Sequence, residues 1–385
     1  MMRFAFTEEQ EEFRQEVRAF LAEDRVRKVA DSVHRLPPRE EPGNLDVYRW
    51  LGEKRWLAVN WPEKYGGLGR GVVEKSILTE ELIRARVPDL VHIVSIDIVG
   101  SVLMMAGTEA QKAARLPALA SGEQNAAVLY TEPQAGSDLA ALQTRAEPDE
   151  DGWRLYGRKV YSLKTQFADF ALCAARTTTS EVAFHGITLF LVPLRTPGVQ
   201  VRTLPNLTDE QFCDVTLDGI RLSRDDVVGD VDGGWQVLND VLPVERTGLE
   251  FQAKARRLLD EILHRAAADG SLDDPAHQQK LVELDAHARA AHLMAWQVIS
   301  RIRAGDLDGV STAMSKLYAT ELFKRISAYG LEVGGLEATL SAWDAAGATG
   351  TREAAHREGT GITLSAGTSE IMRYLIASES LRLLS

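Results

Sequence analysis

The stretch Tyr130-Thr131-Glu132-Pro133-Gln134-Ala135-Gly136-Ser137-Asp138 carries the densest chemistry in the chain. Pro133 and Gly136 predict a tight turn. Gly136 lets backbone N–H groups come close to a ligand, and Thr131 and Ser137 offer hydroxyl donors. Such a loop suits a phosphate, and read alone it equally suits an ordinary surface turn ahead of a helix. A second small-residue block, Gly367-Thr368-Ser369-Glu370-Ile371, lies near the C-terminus. Between them Glu245-Arg246 sets a carboxylate beside a guanidinium, four residues before the apolar Leu249. A carboxylate on an apolar helix stripe can accept a proton from a bound molecule. By composition alone it would more often be a solvated helix glutamate, paired with a cation such as Lys254 or Arg256.

These residues need a large scaffold to bring them together. The 385 residues suggest two or three domains, since single cores stop growing at roughly 250–300 residues. Apolar residues make up 45%, as in ordinary globular proteins. A net charge of −12, with Lys and Arg scattered, makes nucleic acid an improbable partner. The N-terminus has no apolar signal core, and the longest apolar stretch, Val91 to Ala106, is interrupted by His92, Ser95 and Asp97. A buried helix is expected there, with no membrane span and a cytoplasmic location. Cys173 and Cys213 are expected as free thiols, and eight histidines without ligand spacing argue against a metal. Gly-x-Ser-x-Gly, Walker and Gly-x-Gly-x-x-Gly patterns do not occur.

The pattern reads helical, then β, then helical. Thr7 and Gln10 form a capping-box pair ahead of Phe13, Val17, Phe20 and Leu21 at helical spacing. The glycine-rich Asn60–Gly69 reads as a connection between helices rather than a phosphate loop, because no strand precedes it. Helical pattern continues from about Glu74 to Ala120. From about Asn125 to Asp230, pairs such as Trp153/Leu155, Phe170/Leu172 and Val215/Leu217 alternate with period two, and Ile187 to Leu194 is a short apolar run. After Gly233-Gly234, Trp235 to Ala253 predicts one long helix bent at Pro243. Further helices are expected over 276–304, over 310–333, and from Thr368 to Leu384. The fold class is α+β: an N-terminal helical domain (1–124), a small antiparallel β-barrel or sandwich (125–232) and a C-terminal four-helix bundle (233–385).

Taken in order, these motifs resemble the acyl-CoA dehydrogenase family. The resemblance covers nearly the whole chain. Besides the two loops it rests on Pro62 to Gly69, Gly107-Thr108-Glu109-Ala110-Gln111-Lys112, Ser121-Gly122-Glu123, Pro197-Gly198-Val199 and Val228-Gly229 to Trp235. It implies FAD at the junction of three domains and dehydrogenation of an acyl thioester to the trans-2-enoyl thioester. Most family members place the catalytic glutamate directly before the Gly-Thr of the C-terminal loop, where this chain has Ala366. A minority carries it immediately before an arginine on the first long helix after the β domain. The resemblance therefore implies Glu245 as base, Arg246 as its neighbour at the substrate, and the Ala366 backbone N–H as donor to the thioester carbonyl.

For the cofactor, the resemblance implies contacts from Tyr130, Thr131, Gly136, Ser137, Thr368 and Glu370, with Ser137 also near substrate. Tyr161 stands where the family usually has a tryptophan beside the flavin. Leu163 replaces a usual Thr or Ser. Arg265 to Gly270 lacks the family's Phe, and Leu331 to Gly335 alters a Gln-x-x-Gly-Gly motif. The implied partners are an acyl-CoA or an acyl-carrier-protein thioester, an electron-transferring flavoprotein as acceptor, and a dimer or tetramer. The altered motifs leave open pairing with a second dehydrogenase-like chain, or a non-catalytic subunit of such an assembly. A flavin monooxygenase or oxidase on the same fold is a further alternative.

Overall fold

In a computed structural model, residues 5–33, 45–87, 92–342 and 350–383 are described, without the side chains of 242–245. Thr7 caps the first helix as expected: its hydroxyl accepts the Gln10 N–H, and the Gln10 side chain answers. Helices α1 (Glu8–Leu21), α2 (Asp24–Val33), α3 (Asp46–Glu53) and α4 (Val72–Arg84) follow. Next come a π-helical segment, α5 (Ile93–Gly100), then α6 (Ser101–Ala106) and α7 (Glu109–Ala120). Phe13, Val17, Phe20, Leu51 and Ile77 join one core. The glycine-rich connection is a packed turn. A Cβ on Gly67 would lie 2.1 Å from the Trp61 carbonyl oxygen, so only glycine fits.

Among the described residues eight strands form one open sheet: β1 (Ala126–Leu129), β2 (Arg145–Asp149), β3 (Gly152–Leu163), β4 (Phe170–Arg176), β5 (Ile187–Pro193), β6 (Val199–Leu204), β7 (Phe212–Ser223) and β8 (Val227–Val228). The order is β6-β7-β3-β2-β4-β5-β8, with β1 on β4. Most pairs are antiparallel, as expected, but β4 meets both β1 and β2 in parallel register. The alternation in β4 separates two cores rather than core from water. Phe170, Leu172 and Ala174 face the helical layer, while Ala171, Cys173 and Ala175 pack with Val215 and Leu217 of β7. Cys173 and Cys213 are free and buried.

The expected long helix from Trp235 is two: α8 (Gly234–Glu245) and α9 (Leu249–Asp269). The interruption falls at 246–248, beyond Pro243. Gly248 has φ 77, and a Cβ there would lie 2.5 Å from Ser315 Oγ, so the close approach of the helix that carries Ser315 sets the corner. Then come α10 (Pro275–Ala304), α11 (Gly309–Gly334), α12 (Thr351–Gly361) and α13 (Ser369–Leu375), which passes into a π-helical turn, Ile376–Ser380. The expected last helix is thus shorter, and α12 was not anticipated, because its face mixes Ala355 with charged residues. α11 is central, with Phe323 and Ile326 packed against Leu258 and Ile262 of α9, Leu284 of α10 and Ala355 of α12. Glu80 of α4 ties the N-terminal helices to this bundle, accepting from Gln252 at 2.7 Å and sitting 3.2 Å from His292. Burial would raise its pKa, but His292, Arg84 and Gln252 outweigh this and hold it below the ordinary carboxylate value.

Candidate active site

Three regions of the chain converge on a cavity of ≈ 280 Å³. Ile83 of α4 and Ile93 and Ile98 of α5 form one wall, and Leu163 at the end of β3 meets Phe212 at the start of β7 on another. Phe251, Lys254 and Leu258 of α9 face α12 and the turn after it, including Ala366. The lining runs from Thr351 to Gly361 along α12, about 15 Å at the rise of an α-helix. The walls are mainly apolar, and the Lys254–Glu358 ion pair, at 2.9 Å, has both partners in the lining. An acyl chain could lie here, with polar groups accommodated at the pair.

The turn Ile362–Thr368 is held from behind. Lys316 of α11, fully buried, donates to the carbonyls of Ile362 at 3.2 Å and Gly367 at 2.7 Å. Arg246 Nε donates to the Ala366 carbonyl at 3.0 Å. The Ser365 N–H bonds to the Gly361 carbonyl at 3.1 Å and the Ser369 N–H to the Thr363 carbonyl at 2.9 Å. Ala366 has φ 51 and Gly367 φ 94, two successive left-handed residues. For alanine that conformation costs about 1–2 kcal/mol, which the surrounding bonds must offset. Among the described hydrogen bonds the Ala366 N–H has no backbone acceptor, and its residue lines the cavity.

The first loop folds differently in detail from its expectation. The tight turn is Glu132–Ala135, closed by reciprocal bonds of 2.9 and 3.1 Å, with Pro133 and Gln134 at its corner; Gly136 follows it. The loop is laced to β3 by Glu132. Its buried carboxylate accepts from Lys159 at 2.8 Å and from the Gln143 and Thr144 N–H groups at 2.7 and 2.9 Å. Lys159 also donates to the Tyr130 carbonyl at 3.0 Å, and the Val160 N–H to the Thr131 carbonyl at 2.9 Å. Burial would raise the Glu132 pKa, but the Lys159 charge and these donors outweigh it and hold it below the usual value. Gly136 and Ser137 are exposed, and a Cβ on Gly136 would meet nothing within 4 Å, so the outer side is open.

Of the residues expected at the site, Leu163 and Ala366 share the cavity, and Arg246 grips Ala366 from behind. Thr131, Gly136 and Ser137 are not on its wall. From Val160, bonded to Thr131, to Leu163 is about 10 Å of strand, a span a three-ring system can bridge. Tyr161 is 59% exposed at φ 58, in a bulge of β3, its ring edge-on to Phe212. Thr368 caps α13, its hydroxyl accepting the Ile371 N–H, and Glu370 is exposed beside Arg373. Glu245 ends α8, but its side chain lies outside the described residues. The open ground before Gly136, the exposed Tyr161 ring and a cavity between Leu163 and Ala366 fit the flavin end of FAD. No group of three or more His, Cys, Asp or Glu among the described residues is placed to hold a metal. None of their helices is long and apolar enough to cross a membrane.

Sequence reasoning missed Lys316 and the Glu132–Lys159 pair. A signal for Lys316 existed: it falls in helical register with Ala313, Ala319 and Phe323, where a lysine on an apolar face needs a buried partner.

Three family models match in order: the acyl-CoA dehydrogenase N-terminal domain at residues 7–123, the middle domain at 127–220 and the C-terminal domain at 232–381. The chain is 31% identical to acyl-CoA dehydrogenase FadE29 of Mycobacterium tuberculosis, covering 89% of each. It is 29% identical to FadE26 of the same organism, covering 99% of each. Among solved structures, the Tcur3481-Tcur3483 steroid ACAD has a TM-score of 0.89 at 28% identity, covering 99% of both chains. The ChsE4-ChsE5 complex from Mycobacterium tuberculosis has 0.87 at 28% identity, covering 100% of both. The chain therefore belongs to the acyl-CoA dehydrogenase family, FAD-dependent oxidoreductases acting on acyl-CoA.

Proposed function

We propose that this enzyme dehydrogenates an acyl-CoA between C2 and C3, with Glu245 as the base that takes the C2 proton. One observation carries this reading: the bond from Arg246 to the Ala366 carbonyl. It ties the residue next to Glu245 to the position where most of the family keeps its glutamate, on the cavity wall. In the C-terminal loop that position holds alanine, which cannot accept a proton. The Ala366 N–H donates to the thioester oxygen as charge builds there, a contribution of about 3–4 kcal/mol for such a donor. Arg246 holds the next peptide, through the Ala366 carbonyl, and places positive charge nearby. Thr131, Gly136, Ser137, Tyr161, Leu163 and Thr368 would hold the cofactor, with Tyr130 and Glu370 supporting the loops that carry them. Bound FAD supplies the acceptor for the hydride leaving C3. The products are the trans-2-enoyl thioester and reduced cofactor, reoxidised by an electron-transferring flavoprotein.

Anaerobic acyl-CoA is expected to bleach the yellow protein. Glu245→Gln is expected to keep its flavin and to slow bleaching by about 10²–10⁴-fold, the usual worth of a positioned base. Bleaching at the wild-type rate in that variant would remove Glu245 from the role.

A second chain in the assembly is also proposed. Leu163 offers no side-chain hydroxyl to the flavin, Tyr161 and Leu336 are exposed, and the ChsE4-ChsE5 neighbour is a two-protein complex. Light scattering with FAD stoichiometry tests it. One FAD per chain in a stable homo-oligomer would speak for self-assembly. The same three-part organisation supports units at 1–124, 125–232 and 233–385.

A further inference from the structure

We infer that Ser315-Lys316 of α11 is a positioning brace that sets the base-bearing segment and the donor loop at their working separation. This inference rests on the reading above. The two residues are consecutive on one rigid helix, and each grips a different half of the site. Ser315 Oγ donates to the Thr247 carbonyl at 2.7 Å, two residues beyond Glu245. Gly248 comes so close to Ser315 that a Cβ there would touch its backbone at 2.9 Å. Lys316 Nζ donates to the carbonyls of Ile362 and Gly367, at the two ends of the turn that carries Ala366.

The geometry makes Lys316 more than a packing residue. Its side chain is fully buried, and an ammonium in such a place is stable only where oxygens face it. A carbonyl drawn towards Lys316 turns the N–H of the following residue the opposite way, because the peptide is planar and trans. The Gly367 carbonyl thus fixes the Thr368 N–H, and the Arg246 bond to the Ala366 carbonyl fixes the Gly367 N–H in the same manner. On the other side, Ser365 is held to Gly361. The Ala366 N–H is caught between these restraints in a left-handed conformation alanine would not choose alone. Lys316 does not touch the reacting atoms; it acts through the loop.

The test is Lys316→Met, which keeps the apolar stem and removes the ammonium, beside Lys316→Arg, which keeps a charge and donors. Each is purified with FAD and assayed on octanoyl-CoA, isovaleryl-CoA and a steroid side-chain CoA thioester. We expect Lys316→Met to retain FAD and melt as a folded protein. Its kcat should fall about 10²-fold, the usual cost of losing one aligned oxyanion donor, with KM within a few-fold. Amide hydrogen exchange across 362–368 should rise. Lys316→Arg should recover part of both. Unchanged kcat and unchanged exchange in Lys316→Met would overturn the brace. Loss of FAD together with kcat and KM would reduce Lys316 to a structural residue and overturn it as well. If the wild type turns over none of the thioesters, the dehydrogenase reading fails, while exchange at 362–368 still decides the brace.

Discussion

Replacing Lys159 by methionine tests how the first loop is held. Glu132 and Lys159 are both almost fully buried, 2.8 Å apart, and belong to different elements. Methionine fills the lysine stem but leaves the Glu132 carboxylate without its counter-charge. Breaking a buried pair by removing one partner costs about 3–5 kcal/mol. The Gln143 and Thr144 N–H donors remain, which places the expectation near the lower end, about 3 kcal/mol. Adding Glu132→Gln removes the stranded charge, so the double variant should lose less than the two single losses summed. The assay is urea unfolding at pH 7 with FAD content measured alongside; the 130–138 loop should loosen and FAD should dissociate more readily. Acid behaviour follows from the same pair. Glu132 is held below its ordinary value of 4.5, so its contribution is complete above that pH and is lost as pH falls through the lower folded value. The gap between wild type and Glu132→Gln should therefore be constant from pH 7 to pH 5 and close only in more acid solution. A Lys159→Met protein within about 1 kcal/mol of wild type, with full FAD, would refute the reasoning.

Two other outcomes are expected. Gly248→Ala must place a Cβ against the Ser315 backbone at φ 77, so it should lose about 2 kcal/mol or more of stability and slow flavin reduction more than about tenfold. Melting and anaerobic stopped-flow check this, and a fully active variant would contradict the packed corner. The Cys173 thiol is buried and pushed up to about 11, first by desolvation, so at pH 8 about one molecule in a thousand carries the thiolate. Iodoacetamide should leave it unmodified in the native protein by mass spectrometry, and stoichiometric labelling would show that the β4 core opens.

Much of the site's chemistry was legible in the residues themselves. Thr7 with Gln10, the period-two runs of β3 and β7, and the ordered motifs specify helices, sheet and family because each is a local pattern whose cause lies within a few residues. Local pattern failed where a distant neighbour decided. The single long helix expected from Trp235 is divided at 246–248, because the α8–α9 corner follows the approach of Ser315, which is remote from it in the chain. The turn of the first loop fell at Glu132–Ala135 because Glu132 is pulled inward by Lys159. Helix α12 escaped notice because its polar side chains are satisfied by other elements, as Glu358 is by Lys254.

By itself, the sequence determined the order of helical, β and helical regions, the family, and which residue types stand at each motif position. Only the tertiary structure decided which of them meet. Lys316 and Arg246 are far in the chain from the turn whose carbonyls, at Gly367 and Ala366, they bond, and they meet it because α11 packs centrally in the C-terminal bundle. Periodicity reports which face of an element is buried; it carries no information about which carbonyl a buried ammonium will find there.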